Sequence, residues 1–594
     1  MTYRAPIDDI LLALDHGAGF SRAIAQGAIS GYDAEITPAI LDEASRFAAE
    51  VLAPLNRDGD KVGAQFADGK VTTAPGWQNA YRQWVEGGWN GVSAPEEFGG
   101  QGLPLAIAAA CSEMWNSANL AFALCPMLTA GAIEALEAHG SAELKSIYMS
   151  KLISGEWTGT MQLTEPQAGS DVGALRTRAV RAGDGSYRLF GSKIFITYGE
   201  HDLTGNIIHF VLARLPEAPA GTRGISLFLV PKFIVNADGS LGQRNDIRAA
   251  GIEHKLGIHG SPTCTMVMGD TDGAVGYLIG EENRGMQCMF TMMNQARLNV
   301  GIEGVGIAER AYQQALAYAQ ERRQGRGMAS KSSGSDAIIV HPDVRRMLLT
   351  MRSTAMAART ICYATAVAID VSRRATDPTL RRDANTRAAF LTPIAKAFST
   401  DIGIEAASIG VQVHGGMGFI EETGAAQYYR DARIAAIYEG TNGIQAIDLL
   451  TRKLAPDGGA FAAKLLKEMD GVTGRLEASN DPAFGATAAR LREGTAALDR
   501  AGRWLLDHLA AMPDEALAGA TPYLRLWGTT LGGVMLADSA LAASAAGDHA
   551  ALAARTVAAT RFFAENIVVH AAALERTIIE GASSVLNAET ALTA

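Results

Sequence analysis

Apolar positions recur at helical spacing over most of the chain and break into short β-rich runs only in one central stretch. From about 35 to 158, residues such as Ile40, Leu41, Ala44, Phe47, Ala48 and Val51 fall on one face of a helix, which predicts a helical domain. Within it, 91–102 holds too many Gly and Pro residues for a helix and reads as an ordered loop. A further helix is expected after Ser141, a side chain suited to an N-cap, with Glu143 in its first turn. Between 159 and 280 the runs 187–197, 206–215, 224–235 and 264–268 are rich in β-branched and aromatic residues and predict a small β domain. Alternation along 191–199 aims Phe195 and Thr197 at one face. Helical spacing resumes at about 283 and runs to 454, broken by a Gly- and Ser-containing loop at 325–335, after which Pro342 opens the next helix. A short linker at 456–459 leads into Ala-rich helical text to the end. The fold class is therefore α+β: an N-terminal extension (1–34), an N-terminal helical domain (35–158), a β domain (159–280), a helical bundle (281–455) and an additional C-terminal helical domain (456–594).

The 594 residues correspond to about three to four domain-sized units. Apolar residues at 48% and charged residues at 19% describe a globular chain rather than a disordered one. With 52 Lys+Arg against 63 Asp+Glu, the net charge of −11 argues against a generally basic surface for nucleic acid. The N-terminus lacks a basic start followed by an apolar core, so no secretory signal is expected. No uncharged apolar run reaches the ~18–20 residues of a membrane span, and none is expected. Five cysteines, scattered and without a CxxC pair, suggest neither disulfides nor a metal site and favour a reducing, cytoplasmic location.

Three segments carry candidate chemistry. Met161–Asp171 (Met-Gln-Leu-Thr-Glu-Pro-Gln-Ala-Gly-Ser-Asp) offers hydroxyls, a permissive Gly and backbone N–H groups to an anionic or heteroaromatic ligand edge, although such a turn is by itself often only a loop. Lys193-Ile194-Phe195-Ile196-Thr197 sets an aromatic and a hydroxyl where a planar ring would need them, or is an ordinary amphipathic strand. The third is Gln412-Val413-His414-Gly415-Gly416-Met417-Gly418 with Arg430-Asp431-Ala432-Arg433-Ile434-Ala435-Ala436-Ile437-Tyr438-Glu439-Gly440-Thr441-Asn442. There Glu439 ends an apolar approach, Gly440 breaks the helix and Thr441 caps the next one. A carboxylate in that setting resists ionisation and suits a general base; a solvated helix-terminal Glu is the plainer alternative.

These segments, with Arg297 on a long helix, stand in the order and spacing of acyl-CoA dehydrogenases, and over about 35–455 the chain resembles that family, in its longer bacterial branch with a C-terminal helical extension. The resemblance implies FAD, with Met161, Leu163, Thr164, Gly169, Ser170, Phe195, Ile196, Thr197 and Thr441 around it, and Arg322, Gln412, Gly415 and Gly416 on its adenine side across a subunit boundary. Phe195 replaces the family's usual Trp, and the Thr-Phe pair expected after Arg322 is missing. Glu439 matches the catalytic base that takes the α-proton of an acyl-CoA thioester as the β-hydrogen leaves as hydride; Ser170, Asn294, Arg297 and Gly440 are placed toward the substrate. The implied substrate is 3-methylthiopropanoyl-CoA of dimethylsulfoniopropionate demethylation, with a medium- or long-chain fatty acyl-CoA of β-oxidation as the alternative. Without a nicotinamide fingerprint, electrons are expected to pass to electron-transfer flavoprotein, or to O₂ were the chain an oxidase. His254, His259 and His414 have no metal-ligand partner at useful spacing and read as structural. A DNA-associated stress flavoprotein shares this architecture, but 456–594 holds 11 Lys/Arg against 16 Asp/Glu, which opposes nucleic acid. The extension is expected to cover the face by which shorter relatives form tetramers, leaving a homodimer.

Overall fold

Asp33 starts the first domain by accepting the Glu35 N–H at 2.9 Å, and Pro38 sits in the first turn of the helix Thr37–Phe47 that follows. The computed structural model describes residues 3–331, 333–546 and 550–593, and of these the side chains of Asn294 and Ala546 lie outside the description. The central element of the domain is Leu105–His139, two helices joined at Asn119, whose Oδ1 accepts the Phe122 N–H at 3.1 Å and so caps the second half. Ser141 caps Ala142–Ser154 as expected, accepting the Leu144 N–H at 3.2 Å. The loop at 91–102 contains only short 3₁₀ turns, while a hairpin of Gln65–Ala67 with Lys70–Thr72 was not foreseen.

The β domain is an eight-stranded sheet in the order Ile247–Ile252, Thr263–Met268, Tyr187–Thr197, Ala274–Ile279, Ile225–Pro231, Asn206–Arg214, Trp157–Gln162, with Arg178–Arg181 beside the third and sixth. The four expected runs are present. Trp157–Gln162, parallel to Asn206–Arg214 and buried at every residue, lacks the alternation by which strands are read and begins ahead of the expected boundary. Alternation also fails at Phe195: a bulge sets two residues of Tyr187–Thr197 against Thr265, and Phe195 takes a φ of +61° and turns outward. The expectation that Phe195 and Thr197 share a face by plain pleating is corrected by that extra residue.

The bundle is built from Gly285–Glu321, Pro342–Arg374 and Pro378–His414. The first and third approach at backbone distance because glycines face backbone: a Cβ on Gly301 would lie 2.7 Å from the Ala395 carbonyl, and one on Gly304 would overlap that of Ser399. The added helices Ala460–Ser479, Thr487–Leu509, Ala520–Ala546, Ala550–Asn566 and Ala571–Glu580 join the same apolar core. The N-terminal extension lies between the two: Asp9 pairs with Arg352 of the bundle at 3.0 Å and with Arg555 of the addition at 3.4 Å, and a Cβ on Gly17 would meet both Thr360 and Ser539.

Contrary to the sequence reading, two stretches, the helix Leu105–His139 and the successive helices across Ala550–Glu580, are long and apolar enough to cross a membrane by length and composition alone. The apolar window of the first is 89% buried within the protein, where it is packed as core.

The close helix approach predicts that Gly304→Ala destabilises the protein by about 1–3 kcal/mol through overpacking. Calorimetry should show a lower Tm; an unchanged Tm would mean that the two helices separate without strain.

Candidate active site

The motif around Glu439 folds as a pinned loop. Helix Ala425–Ala432 passes into the 3₁₀ turn Arg433–Ala436, the chain turns irregularly through Ile437–Gly440, and Thr441 caps Asn442–Asp448 by accepting the Ile444 N–H at 3.3 Å. Glu439 has a φ of +55°, a conformation that costs a non-glycine residue about 1–3 kcal/mol and persists only where its surroundings enforce it. Gln445 contributes to that enforcement by donating to the carbonyls of Gly440 (3.2 Å) and Glu439 (3.4 Å). Gly440 has a φ of +85°, which favours glycine, and a Cβ there would lie 2.7 Å from the Gln445 amide nitrogen.

Four charged groups surround this half-buried residue. Arg297 is buried, with Nη1 3.8 Å from Asp448 Oδ2 and with Nε lacking a protein partner. Lys396 is fully buried and donates to Asn442 Oδ1 at 2.9 Å. Glu303 is buried and accepts the Tyr438 hydroxyl. Desolvation pushes the Glu439 carboxyl above its ordinary range, with Arg297 and then Lys396 opposing it. Burial likewise raises Glu303 to about 8 and lowers Lys396 to about 8.

The β-domain segments are joined by a buried ion pair. Lys193 Nζ donates to Glu165 Oε1 at 2.8 Å and to the Leu163 carbonyl at 3.0 Å, while the Ile194 N–H donates to the Thr164 carbonyl at 3.0 Å. Glu165 also accepts from the N–H groups of Arg176 (2.7 Å) and Thr177 (3.0 Å); burial pushes its carboxyl up, but Lys193 and these hydrogen bonds outweigh that and hold it at about 2. The pair thereby binds 161–170 to 193–197. Met161 and Ile196 are buried, Leu163, Thr164 and Thr197 half-buried, Gly169 and Ser170 exposed, and Phe195 stands 59% exposed. Met161 shares a buried apolar cluster with Ala296, next to Arg297, which connects this face to the helix that carries Arg297.

Arg322, Gln412, Gly415 and Gly416 are exposed where two bundle helices end, brought together by Tyr318 stacked on His414 with centroids 4.4 Å apart. His259 pairs with Asp60 at 2.9 Å and His414 Nδ1 lies 2.7 Å from the Gly410 carbonyl, both structural arrangements. Sequence motifs gave no role to Arg430 and Asp431: Arg430 pairs with Asp60 at 2.6 Å, and Asp431 accepts the Ile258 N–H at 2.5 Å, tying the N-terminal and β domains to the helix that leads into the Glu439 loop. Asn294, expected near the substrate, lies outside the described side chains.

Sequence reading missed Glu303, Lys396, Tyr438, Gln445 and Asp448. The usable signal was a lone charge in apolar text: Glu303 between Gly301-Ile302 and Gly304-Val305, and Lys396 between Ile394-Ala395 and Ala397-Phe398. Such charges are rarely buried without a partner.

Family models match four consecutive stretches: acyl-CoA dehydrogenase N-terminal domain (35–156), middle domain (160–271) and C-terminal domain (283–454), then an acetyl-CoA dehydrogenase C-terminal-like domain (463–589). The chain is 46% identical to a 3-methylmercaptopropionyl-CoA dehydrogenase of Ruegeria pomeroyi over 99% of this chain and 100% of that one. It is 33% identical to the broad-specificity linear acyl-CoA dehydrogenase FadE5 of Mycobacterium tuberculosis over 95% of each. Among solved structures, an acyl-CoA dehydrogenase complexed with FAD from Bacillus anthracis shares the fold with a TM-score of 0.76, at 21% identity over 93% of this chain and 89% of that one. The chain belongs to the acyl-CoA dehydrogenase family of FAD-dependent oxidoreductases, with an extra helical domain after the family's three-part core.

Proposed function

We propose that the chain oxidises a short acyl-CoA thioester, 3-methylthiopropanoyl-CoA, to the trans-2-enoyl-CoA, with Glu439 as the base. The observation that carries this reading is a half-buried carboxylate at positive φ, desolvated and flanked by Arg297 and Lys396. Desolvation makes it a stronger base than a carboxylate in water. The thioester α-proton is far less acidic still, so its removal requires that the developing enolate charge be stabilised. Arg297 supplies positive charge at that point, and we assign the backbone N–H of Glu439 as a donor to the thioester oxygen.

The residues fit FAD. Phe195 presents an exposed aromatic face beside the hydroxyls of Thr164 and Thr197, and Gly169, where a Cβ would have no heavy atom within 4 Å, leaves backbone open beside exposed Ser170. Met161, Leu163, Thr164, Phe195, Ile196 and Thr197 would hold the ring, Gly169 and Ser170 the pyrophosphate, and Arg322, Gln412, Gly415 and Gly416 the adenine of a neighbouring subunit, with Thr441 near the base loop. Bound FAD supplies the two-electron oxidant that accepts the β-hydride. Electron-transfer flavoprotein is the acceptor we assign beyond it.

The short acyl group is supported by the Ruegeria relative's name.

The FAD-loaded protein, assayed with an acceptor dye against straight-chain acyl-CoAs from butyryl to palmitoyl and against 3-methylthiopropanoyl-CoA, should turn over the thioether among its best substrates. A preference for palmitoyl-CoA would assign it to long-chain oxidation, and peroxide formation in air without dye would make it an oxidase. In the same assay Glu439→Gln should lose about 10²- to 10⁴-fold in kcat. Because the folded carboxyl is raised above its ordinary 4.5, its contribution to stability is present below that value and lost as pH rises through the folded one. The Gln variant should therefore match or exceed the wild-type Tm at neutral pH, and near-normal turnover in it would remove Glu439 from the mechanism.

The adenine-side residues and the exposed Met417, Phe419 and Ile420 beside them support a homodimer. Light scattering should return about twice the 62.5 kDa chain mass; a fourfold mass would mean that the added domain leaves the tetramer face open.

A further inference from the structure

Glu303 and Lys396 are drawn together by the glycine contacts that bring their helices to backbone distance, with Gly301 against Ala395 and Gly304 against Ser399. Each reaches the loop that carries the base, from opposite sides. Glu303 accepts the hydroxyl of Tyr438, the residue before Glu439. Lys396 donates to Asn442 Oδ1, three residues after it, and the Asn442 amide in turn donates to Thr400 Oγ1 (3.0 Å) and Asp401 Oδ1 (2.7 Å). Between these two anchors the backbone holds the positive φ of Glu439. The second oxygen of Glu303 is buried without a protein partner, so the carboxyl has no tie stronger than the one to Tyr438.

We propose that Glu303 and Lys396 form a buried clamp that positions the base, Glu303 through Tyr438 and Lys396 through Asn442. The proposal rests on reading Glu439 as the base. Neither residue touches the substrate in this account; both are positioning residues whose effect is on where the Glu439 carboxyl lies. Strain at a functional residue persists only if its neighbours over-determine it, and removal of one anchor lets the loop relax. A displacement of about 1 Å at the reacting group lowers a rate by roughly 10²-fold.

The groups around Glu303 also set its charge. Lys396 faces it from Pro378–His414, and Tyr438 and Glu439 from the base loop; Asp401 and Arg297 act on Lys396, Arg297 lies 3.8 Å from Asp448, and Arg359 of Pro342–Arg374 is engaged by Glu113 (2.6 Å) and Glu309 (2.9 Å). Burial is the largest influence and raises Glu303 to about 8, so it is mostly protonated at neutral pH. Its contribution to stability is thus present below the ordinary 4.5 and is lost as pH rises through about 8.

The test uses the FAD-loaded enzyme with Glu303→Ala, Glu303→Gln, Tyr438→Phe and the Ala/Phe double variant. The clamp predicts that Glu303→Ala and Tyr438→Phe each lower kcat by about 10- to 100-fold with KM within about threefold. Glu303→Gln, whose amide oxygen still accepts the Tyr438 hydroxyl, should recover to within about threefold of wild type, and the double variant should be no worse than the worse single, because one contact is removed twice. A Glu303→Ala variant within about twofold of wild type, losses that multiply, or no rescue by Gln would overturn the clamp. If the Ala variant does not fold, the Tm of Glu303→Gln relative to wild type decides: it should rise from about pH 5 to about pH 8, and a pH-independent difference would contradict a buried neutral carboxyl at this place. Retained turnover in Glu439→Gln would defeat the base reading alone, since the Tm difference of Glu303→Gln across pH is measured without it.

Discussion

The site depends on one constraint: a carboxylate must be held at positive φ in a place that disfavours its charge. Glu439 meets it because the chain on either side is fixed before the base is considered. Thr441 starts a helix at 3.3 Å from the Ile444 N–H, Gln445 fastens the carbonyls of Glu439 and Gly440, and Gly440 takes a φ of +85° that favours glycine. The electrostatic setting follows from helix packing. Glycines at 301 and 304 let two long helices meet at their backbones, and the charged residues at that meeting, Glu303 and Lys396, are thereby buried near Glu439. Desolvation and the two cations act on Glu439 in opposite directions, and the desolvation prevails.

A second buried pair performs the equivalent task in the β domain. Lys193 and Glu165 lie on different segments, each facing outward a few residues away, and their contact gives Thr164 and Phe195 a common frame. Breaking such a pair leaves a charge without a partner, which typically costs about 3–5 kcal/mol. Arg430 and Asp431 carry the frame across the domain boundary, the first to Asp60 and the second to the Ile258 N–H. Glu439, Arg297 and the β-domain face are thus related by packing and by paired charges in the core, while the added C-terminal helices enlarge that core and contact the N-terminal extension through Arg555 and Asp9.

The parts of the fold governed by local chemistry were legible in the sequence: the caps at Ser141 and Thr441, the alternating strands and the helical periods, whereas the helix expected to run to Gly440 ends at Ala432 with a 3₁₀ turn to Ala436. Trp157–Gln162 was not, because a strand buried on both faces has no alternation to read, and the outward turn of Phe195 was not, because a bulge depends on a partner strand seventy residues away in sequence. Within the site, Glu439 and Arg297 were found through spacing shared with a family, whereas Glu303 and Lys396 become meaningful only when the glycines of two helices are seen to meet. Arg430 and Asp431 stood inside a recognised motif yet serve as anchors, so a motif residue's presence did not reveal its task.

The central claim is that Glu439 removes the α-proton with a carboxyl whose ionisation lies above the ordinary range. Single-turnover reduction of the holoenzyme by 3-methylthiopropanoyl-CoA, protiated or deuterated at the α carbon and followed across pH, addresses both halves together. The account predicts that α-deuteration slows the reaction and that the wild-type rate rises with pH on one ionisation above 4.5, a step absent in Glu439→Gln. A rate insensitive to α-deuterium, or a wild-type profile already flat from the ordinary carboxylate value upward, would contradict it.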